Sequence, residues 1–492
     1  MTGFAAVVPV IDERVAIGDI VRGLRGVGAC CVFVVDGGSR DGTSAVAVSA
    51  GAIVIDEPRR GYGRACLTGG TRAVAPGPHH HDVVAFLDGD GSCDPLALTQ
   101  LVRALANADV ALGRRPDHLI VQGAMPWHAR FGNRLVALVI SLRTGRRVHD
   151  LPPAKALRAD ALERLGLDED GYGWTVQLVA RALADPTLRV REIPVAFNRR
   201  RGGISKVSGS PRASIRAAYA MLRVAVQATR PRPVLAMMAK APRDGHAKTR
   251  LSADLGVDQT TELWTACLID SGNNLLEAAN LGGMVPVVML AEASDLAPVI
   301  DIIGRRWTPL VQHRHGLSGA LVEAFLEAFD RGTDRAMAVA GDVPSLPPGY
   351  TLDALHRLAR GGDAAVLGPS ADGGYHLVAL RWPAVERWWP RAVRSRRRRR
   401  LEQRLRTVFE VPMGGESTLE ATRHGLAAAG WSVTEMAAWT DVDTIVDVES
   451  LAVELEFDGR PAPMTAAWLA DHRSSIAARS SVAEPRGGVP TA

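Results

Sequence analysis

The sequence predicts two tandem α/β domains, each built on a mainly parallel β-sheet between layers of helices. Three observations support this prediction. Apolar strands alternate with amphipathic helical stretches along the whole chain, which is typical of layered α/β proteins. The alternation is interrupted at the proline-punctuated segment 230–233 and then starts again. Both halves also place aspartates directly after a strand, at the edge where open parallel sheets bind ligands.

Strand and helix signals follow one another through the first half. Buried strands are expected at the apolar runs 31–35, 52–55 and 83–87. Asp94 and Pro95 precede a stripe of leucines, as in a capped helix that packs one face on the sheet. The stretch 211–228 predicts an amphipathic helix with basic residues on one face. We therefore assign residues 1–229 to the first domain and 230–233 to a stiff linker.

The second half repeats the pattern. Strands are expected near 234–239, 285–290, 336–340, 364–367 and 375–380. We assign residues 234–473 to the second domain. The segment 474–492 is rich in Ser, Ala, Gly and Pro, so we expect it to be disordered.

The composition is that of an ordinary water-soluble chain. Of 492 residues, 47% are hydrophobic and 23% are charged, and the mean hydropathy is +0.03. The absence of an apolar run of about 18 residues argues against an integral membrane protein. The first residues lack the basic segment of a signal peptide, and five cysteines without CxxC spacing indicate a reducing compartment. We expect a cytoplasmic protein.

Positive charge is concentrated in one segment. Residues 391–406 contain nine arginines and one glutamate, a net charge of +8, whereas the whole chain carries +5. The remaining residues therefore sum to −3. Such a run most often forms a solvated helix face or loop, and contact with anionic lipid or nucleic acid is the alternative. Because the rest of the chain is near neutral, we expect no nucleic-acid partner.

Lysine is rare in this chain, which contains only Lys155, Lys206, Lys240 and Lys248 beside its many arginines. All four lysines fall in loop motifs that carry other candidate functional residues. A compact ammonium acts as a point charge, unlike the planar guanidinium. The placement of the lysines therefore supports a functional interpretation of these loops.

The strongest local signal is Asp88-Gly89-Asp90, directly after the apolar run 83–87. Two carboxylates at a strand end can hold a divalent cation against a diphosphate, so that the charge of a leaving nucleotide is neutralised. Surface turns also produce this pattern, but the strand before it and the capped helix after it favour a site. We expect Mg²⁺ or Mn²⁺ as the cofactor.

Further motifs are VVPVIDER at 7–14, VVDGGSRDGT at 34–43, GYGRACLTGG at 61–70, ALGRR at 111–115 and REIPVAFNRRRGGISKVSGS at 191–210. With FLDGDGSCDP at 86–95 they resemble glycosyltransferase family 2, in the branch similar to dolichyl-phosphate mannose synthase, over about residues 4–225. The resemblance implies the GT-A fold of nucleotide-diphospho-sugar transferases and a nucleotide-diphospho-sugar donor. It also suggests a polyprenyl-phosphate acceptor, with peripheral association at the inner face of the cell membrane.

The resemblance implies catalytic roles for four residues. Asp88 and Asp90 belong to the metal motif, and Asp90 is the expected direct ligand. Arg115 is expected near the transferred or acceptor phosphate. Lys206 lies in the Ser-Lys loop, where it is expected to contact a phosphate from a lid.

The resemblance also implies a nucleotide-sugar site. Gly37 replaces the family's common second aspartate, which leaves Asp36 as the expected base or ribose contact, and Arg64 is expected to face the phosphates. The residues expected to bind the nucleotide-sugar are Pro9, Asp12, Glu13, Asp36, Gly38, Ser39, Gly63, Arg64 and Asp88.

Two positions depart from the family pattern. Ala154-Lys155 replaces the usual Phe-Arg pair, and Gln177 stands where relatives carry a carboxylate. Inverting transfer to a sugar hydroxyl needs a general base, whereas a lipid phosphate is already an anion near neutral pH. An enzyme that uses a polyprenyl-phosphate acceptor can therefore lack this carboxylate. The alternative, that Gln177 has no catalytic role and is a polar helix residue facing solvent, fits the sequence equally well. The histidines at 79–81 are expected in a solvated loop.

A second candidate site begins after the strand at 234–239. Its loop places cations around a glycine, which suits phosphate binding, but it lacks the spacing of a Walker A loop. The residues expected to bind nucleotide are Lys240, Arg243, Gly245, Lys248, Arg250, Asp372 and Gly373. Asp342 and Asp443 are the expected metal ligands, because two separated aspartate sites suit the contacts that clamp a triphosphate. Asp447 fits a solvated turn better than a site.

Four elements characterise this half: Lys-x-Pro…Lys-Thr-Arg-Leu, Gly-Asp-x-Pro, Gly-Pro-Ser-x-Asp-Gly-Gly-Tyr and Asp-Val-Asp-Thr. They resemble a bacterial family similar to molybdopterin and phospholactate guanylyltransferases, over about residues 233–455. The segment 391–416 departs from that family, since the arginine run and MGGES replace the expected tryptophan-containing turn.

Three functional hypotheses remain open at this point. In the first, a metal-dependent glycosyltransferase is fused to a nucleotide-binding transferase domain. In the second, the second domain is a nucleotidyltransferase that makes the nucleotide-sugar from a nucleoside triphosphate and a sugar phosphate. In the third, the second domain is a non-catalytic scaffold. Membrane contact is expected through the helix at 211–228 and basic loops.

Overall fold

The computed structural model describes residues 3–75, 81–202, 211–243, 248–360, 363–383, 391–413, 417–457 and 461–480. The chain divides into two compact units, Met1–Arg230 and Pro231–Ala492. Each unit contains its own sheet of seven strands.

The first unit alternates strands and helices. Its strands are β1 (Phe4–Val10), β2 (Ala29–Asp36), β3 (Ile53–Asp56), β4 (Val83–Leu87), β5 (Val110–Arg114), β6 (Ala154–Arg158) and β7 (Val190–Pro194). Its helices are α1 (Arg14–Gly26), α2 (Thr43–Ser49), α3 (Tyr62–Val74), α4 (Leu96–Ala104), α5 (Trp127–Thr144), α6 (Ala159–Leu165), α7 (Trp174–Ala184) and α8 (Pro211–Ala228).

The first sheet has the strand order β3-β2-β1-β4-β6-β5-β7. All neighbouring strands are parallel except β6, which runs antiparallel to β4 and β5. Along β1, Ala5 and Val7 enter an apolar cluster with α7, whereas Phe4, Ala6 and Val8 enter another with α1. Because successive strand residues point to opposite faces, helices cover both faces of this sheet.

The second unit follows the same pattern. Its strands are β8 (Val234–Ala239), β9 (Val285–Leu290), β10 (Thr308–Val311), β11 (Arg335–Ala340), β12 (Ala364–Pro369), β13 (Tyr375–Arg381) and β14 (Ser432–Glu435). Its helices are α9 (Thr249–Leu255), α10 (Val257–Leu281), α11 (Leu296–Ile303), α12 (Gly316–Asp330), α13 (Pro348–Arg357), α14 (Arg391–Phe409), α15 (Thr418–Ala428), α16 (Ile445–Phe457) and α17 (Pro463–Ser480).

The two sheets share one topology. The second has the order β10-β9-β8-β11-β13-β12-β14, so in both units the strands follow the order 3-2-1-4-6-5-7 when counted from the first. The sixth strand is antiparallel to its neighbours in each. Leu235 and Met237 face one apolar cluster while Val234 and Ala236 face another. The prediction of two tandem three-layer α/β/α domains with mainly parallel sheets is confirmed.

The strand order places the candidate residues at one edge of each sheet. In the first sheet the order reverses between β1 and β4, and ligands of open α/β sheets bind at the carboxyl ends of strands at such a reversal. Asp88 follows β4 directly. The equivalent strand of the second sheet is β11, and Asp342 follows it.

The end of the chain differs from the expectation. Helix α17 continues to Ser480, and Ile476 is buried in an apolar cluster with residues of α10 and α16. The expected disorder is therefore wrong for residues 474–480, because this apolar side chain anchors them, and residues 481–492 lie outside the described part. No helix in the described ranges is both long and apolar enough to span a membrane.

Candidate active site

A cavity of about 770 Å³ opens at the carboxyl ends of β1 and β4. Five residues expected from the sequence line it: Pro9, Glu13, Asp88, Asp90 and Arg115. Arg200 also lines it, as does one side of helix α5. The two carboxylates of the Asp-Gly-Asp motif and the cation after β5 therefore face the same space.

Asp88 is held by a chain of buried hydrogen bonds. The Tyr62 hydroxyl donates to Asp88 Oδ1 at 2.9 Å. Lys155 Nζ donates to the Tyr62 oxygen at 3.2 Å and to Thr175 Oγ1 at 3.0 Å. Lys155 lies on β6 opposite Phe86 of β4 and is only 1% exposed. The antiparallel strand thus places an ammonium behind the first carboxylate of the motif.

Burial and charge act against each other in this group. Burial raises the pKa of Asp88, and the nearby Lys155 ammonium opposes that rise. Burial likewise lowers the pKa of Lys155, which Asp88 opposes. The two groups therefore stabilise each other's charged form inside the fold.

Asp90 is bound by an arginine that the sequence motifs did not single out. Asp90 Oδ1 accepts from the Ser92 backbone N–H at 2.8 Å, and Oδ2 accepts from Arg200 Nε at 2.6 Å. Arg200 also lies 3.6 Å from a Glu13 carboxylate oxygen. A side-chain cation thus lies against two carboxylates of the cavity, and carboxylate oxygens are also the ligands that Mg²⁺ prefers in proteins.

Arg115 has a fixed position. Its Nε and Nη2 donate to the two oxygens of Asp150 at 2.7 and 2.8 Å, and Nη2 donates to the Leu151 carbonyl at 2.7 Å. The guanidinium also lies 4.9 Å from the centre of the Phe197 ring. Bidentate pairing and ring contact orient this cation at the cavity wall.

Three residues expected in the nucleotide site, Asp36, Gly38 and Ser39, form one turn after β2, and Asp12, which follows β1, contacts it. Asp36 Oδ1 accepts from the N–H groups of Gly38 and Ser39 and from the Ser39 hydroxyl, at 3.1, 2.8 and 2.7 Å. The Asp12 N–H donates to Ser39 Oγ at 2.9 Å. Gly37, at the centre of this turn, lines the cavity, whereas the other four do not. Asp36 therefore shapes the loop in this structure.

Gly63 and Arg64, at the start of α3, contact the loop at 169–171. Arg64 Nη2 pairs with Asp170 at 2.7 Å. The Gly63 N–H donates to the Gly171 carbonyl at 3.1 Å, and a Cβ at Gly63 would lie 2.1 Å from the Glu169 carbonyl oxygen. The glycine therefore allows this close approach, and neither residue lines the cavity.

Gln177 holds the same loop. The side chain is 7% exposed, and its Oε1 accepts from the N–H groups of Asp168 and Glu169 at 3.0 and 3.1 Å. A solvent-facing Gln177 is therefore wrong. The residue binds backbone and is absent from the described cavity wall.

Several expected residues lie outside the described part of the chain: Lys206, Gly245, His79 and His80.

Three functional candidates were missed from sequence, namely Tyr62, Lys155 as the partner of that tyrosine, and Arg200. The signal for Arg200 was the arginine triplet 199–201 just before the Gly-x-Ser-Lys loop.

In the second unit, Lys248 connects two aspartates. Its Nζ donates to Asp342 and to Asp443, and its side chain is largely buried. Burial opposes the charge of Lys248, but the two carboxylates raise its pKa above the ordinary value. The backbone of Lys248 has a φ of +56° at the start of α9. The predicted loop cation thus meets both expected metal residues.

Three aspartates of the second unit form a tighter group. Carboxylate oxygens of Asp372, Asp441 and Asp443 all lie within 4.8 Å of one another. Burial, together with the charges of Asp342 and Asp372, raises the pKa of Asp441 to about 7. Like charges at this separation repel, so the group favours a bound cation or proton.

The other expected residues of this unit have different surroundings. Arg243 pairs with Asp295, whereas Lys240 and Arg250 are exposed. Gly373 forms the turn beside Asp372 with a φ of +85°. Asp447 accepts from the N–H groups of Asp443 and Thr444 at 3.0 and 2.7 Å and thereby caps α16.

A carboxylate pair after a central strand faces a cavity at the reversal of a mainly parallel sheet, which is the edge where open α/β sheets bind ligands. Residues 6–166 match the model of glycosyl transferase family 2. An uncharacterised glycosyltransferase of Mycobacterium tuberculosis is 40% identical over 185 residues, which is 37% of this chain and 80% of that protein. The chain belongs to glycosyltransferase family 2.

Two relatives with more specific names are also similar. A polyprenol monophosphomannose synthase of Mycolicibacterium smegmatis is 31% identical over 36% of this chain and 71% of its own length. An undecaprenyl-phosphate mannosyltransferase of Micrococcus luteus is 30% identical over 36% of this chain and 76% of its own length. The expected resemblance to the lipid-phosphate branch of the family is confirmed.

Residues 275–395 match a family described as uncharacterised proteins conserved in bacteria. Among solved structures, a candidate nucleotide-diphospho-sugar transferase from Desulfovibrio desulfuricans is 22% identical with a TM-score of 0.42, covering 50% of this chain and 97% of that chain. Glucosyl-3-phosphoglycerate synthase from Mycobacterium tuberculosis with Mn²⁺, UDP-glucose and phosphoglyceric acid is 18% identical with a TM-score of 0.38, covering 46% and 80%.

Proposed function

We propose that the first unit transfers a sugar from a nucleotide-diphospho-sugar to polyprenyl phosphate at the cavity between β1 and β4. The observation that carries this proposal is the shared cavity of Asp88, Asp90 and Arg115. The carboxylates suit the metal-bound diphosphate of the donor, and the fixed guanidinium suits a phosphate. The names of the relatives from Mycolicibacterium and Micrococcus support the same acceptor class.

Asp88 and Asp90 would hold the divalent cation. When bound, Mg²⁺ or Mn²⁺ supplies charge neutralisation for the departing nucleoside diphosphate. Arg200 already holds a positive charge at Asp90 in this structure, which supports the fit of a cation there. Tyr62 and Lys155 keep Asp88 in place at the cavity wall.

The acceptor is the part of the proposal that explains the missing carboxylate. A phosphate needs no general base, and Gln177 is committed to the loop at 168–169. A second cavity of about 400 Å³ shares Arg115 with the first and is also lined by Arg114, Arg130 and Arg134. These cations suit the phosphate of a lipid acceptor.

Helix α5 supports peripheral membrane association. One side of the helix lines the first cavity. Its outer side exposes large apolar residues at helical spacing: Trp127, Phe131, Leu135, Leu138 and Leu142. Trp127 is 79% exposed. A helix with an apolar face, lying in the membrane surface, would bring a lipid phosphate to the cavity. This stripe supports α5 as the contact in addition to the expected helix α8.

The test is transfer of labelled sugar from GDP- and UDP-sugars to polyprenyl phosphate, with the free polyprenol as the control acceptor. We expect product with the phosphate and none with the alcohol. Asp90→Asn should reduce kcat/KM about a hundredfold or more, a barrier increase of about 2.7 kcal/mol. The matched control is Asp94→Asn, at an exposed residue that precedes α4 and accepts from the Leu96 N–H. Retention of more than about a tenth of kcat/KM in Asp90→Asn would remove that residue from the site.

A second candidate activity concerns the second unit. The contact of Lys248 with Asp342 and Asp443, beside Asp372 and Asp441, favours a site for a metal-bound triphosphate. We infer a nucleotidyltransferase that forms the nucleotide-sugar from a nucleoside triphosphate and a sugar 1-phosphate. Pyrophosphate release by the full chain, lost in Asp443→Asn but kept in Asp90→Asn, would support it. No effect of any nucleoside triphosphate with Mg²⁺ on activity or melting would favour the scaffold instead.

A further inference from the structure

Helix α14 of the second unit carries an arginine face that the fold does not use. Arg396, Arg399 and Arg400, here called the arginine face, are exposed and stand at spacings of three and four residues, so they share one side of the helix. Among the described residues none of the three forms an ion pair. By contrast, Arg398 pairs with Asp330 at 2.7 Å and Arg404 with Asp363 at 3.1 Å.

The opposite side of α14 explains why the helix forms despite this charge. Its apolar residues, Leu401, Leu405, Val408 and Phe409, are buried in a cluster with residues of α12. Like charges three and four residues apart on a helix repel each other. The arginine face therefore weakens the isolated unit, and an external anionic surface would relieve the repulsion.

We propose that the arginine face is a docking surface for an anionic phospholipid leaflet. The proposal rests on the proposed function, because a lipid-borne acceptor places the enzyme at a membrane. The face is positive, while the chain outside residues 391–406 is near neutral with a net charge of −3, so an anionic plane attracts this helix more than it attracts the remainder. Clusters of basic residues on one helix bind anionic headgroups in this way.

The composition of the face favours lipid over nucleic acid. Beside the arginines, the outward side exposes the small and apolar Ala392 and Val393. The aromatic residue of α14, Phe409, is buried, so the helix offers no ring on which a base could stack. The cationic face on α14 supplies an electrostatic attraction to anionic headgroups.

The test is binding of the full chain to vesicles of phosphatidylcholine alone and of phosphatidylcholine with phosphatidylglycerol. Wild type should bind the anionic vesicles more tightly and be weakened by salt. Each cation contributes about fivefold, so R396Q/R399Q/R400Q should lose about a hundredfold in anionic-vesicle affinity. The control R103Q/R305Q/R306Q removes the same charge from exposed positions elsewhere and should retain it.

Three outcomes would overturn the proposal. The first is wild-type vesicle affinity in the arginine-face variant, and the second is an equal loss in the control, which would reveal an effect of net charge alone. The third is tighter binding to a single-stranded RNA oligonucleotide than to anionic vesicles, lost in the same variant. Transfer to polyprenyl phosphate in detergent micelles separates the two proposals. If wild type binds anionic vesicles but transfers no sugar in micelles, the proposed function is wrong and the docking proposal stands. If the arginine-face variant still transfers sugar in micelles, any loss of vesicle affinity in that variant concerns docking alone.

Discussion

Replacing Lys155 by methionine should show how the buried Lys155 ammonium stabilises the fold and the charged form of Asp88. Lys155 donates to Tyr62 and Thr175, and Tyr62 donates to Asp88. Methionine has a similar length but cannot donate, so two oxygens lose a charged partner. Each hydrogen bond from a charged group contributes about 1.5–3 kcal/mol, and relaxation of the neighbours reduces the sum. We expect the free energy of unfolding to fall by about 3 kcal/mol.

Thermal melting and the pH dependence of activity are the two assays. A domain of this size loses about 2–4 °C per kcal/mol, so the melting temperature should fall by roughly 6–12 °C. The ammonium opposes the burial that raises the pKa of Asp88. Its removal raises that pKa further, so Asp88 loses its charge at a higher pH as the solution is acidified. The acid limb of kcat/KM should therefore move to higher pH.

Lys155→Arg is the control, because it keeps a charge at this position. It should restore the position of the acid limb more fully than the melting temperature, since the larger guanidinium must be accommodated in a packed site. An acid limb that is the same in wild type and Lys155→Met would refute the electrostatic role of the lysine. An unchanged melting temperature would refute the hydrogen-bond argument.

Two further predictions concern packing and the acidic group. Gly63→Ala should lower the stability of the first unit by about 1–3 kcal/mol in thermal melts, because its Cβ would lie 2.1 Å from the Glu169 carbonyl oxygen. Gly26→Ala, where a Cβ meets open space, should be neutral or stabilising, and equal melting of the two variants would contradict this reading. Asp441 keeps a proton in the folded state up to a pKa of about 7, whereas the unfolded chain releases it near pH 4, so stability should fall between about pH 4 and 7. Asp441→Asn should flatten that slope in a pH series of melts, and a slope unchanged by the substitution would exclude Asp441 as its source.

The sequence was sufficient for the architecture and for the residues that follow strands. Alternating apolar runs and the 230–233 segment predicted two α/β domains, and a motif directly after a strand needs only that strand to be placed. Asp88 and Asp90 could therefore be expected at a cavity. Alternating strands and helices predict a mainly parallel sheet. Residues that directly follow its strands then lie at the edge where ligands bind.

Residues whose role depends on distant pairing could not be predicted. Lys155 approaches Tyr62 because β6 enters the sheet antiparallel between β4 and β5, and no local signal gives that register. Arg200 is one of three consecutive arginines, and sequence alone does not say which of them turns inward. Gln177 lies among buried neighbours on α7, but its partners belong to a loop that approaches Gly63, more than 100 residues earlier in the chain.

The two units place a side-chain cation on acidic groups at equivalent strand ends. Arg200 pairs with Asp90 after β4, and Lys248 pairs with Asp342 after the equivalent strand β11. Clustered carboxylates repel, so each cation stabilises the fold without ligand. Under the proposed functions, a divalent metal at these carboxylates would have to compete with that cation, which would lower the apparent affinity of the metal alone. The displaced guanidinium or ammonium would then be free to meet a phosphate. Metal and nucleotide should therefore bind cooperatively in each unit, and each should raise the affinity of the other by the same factor.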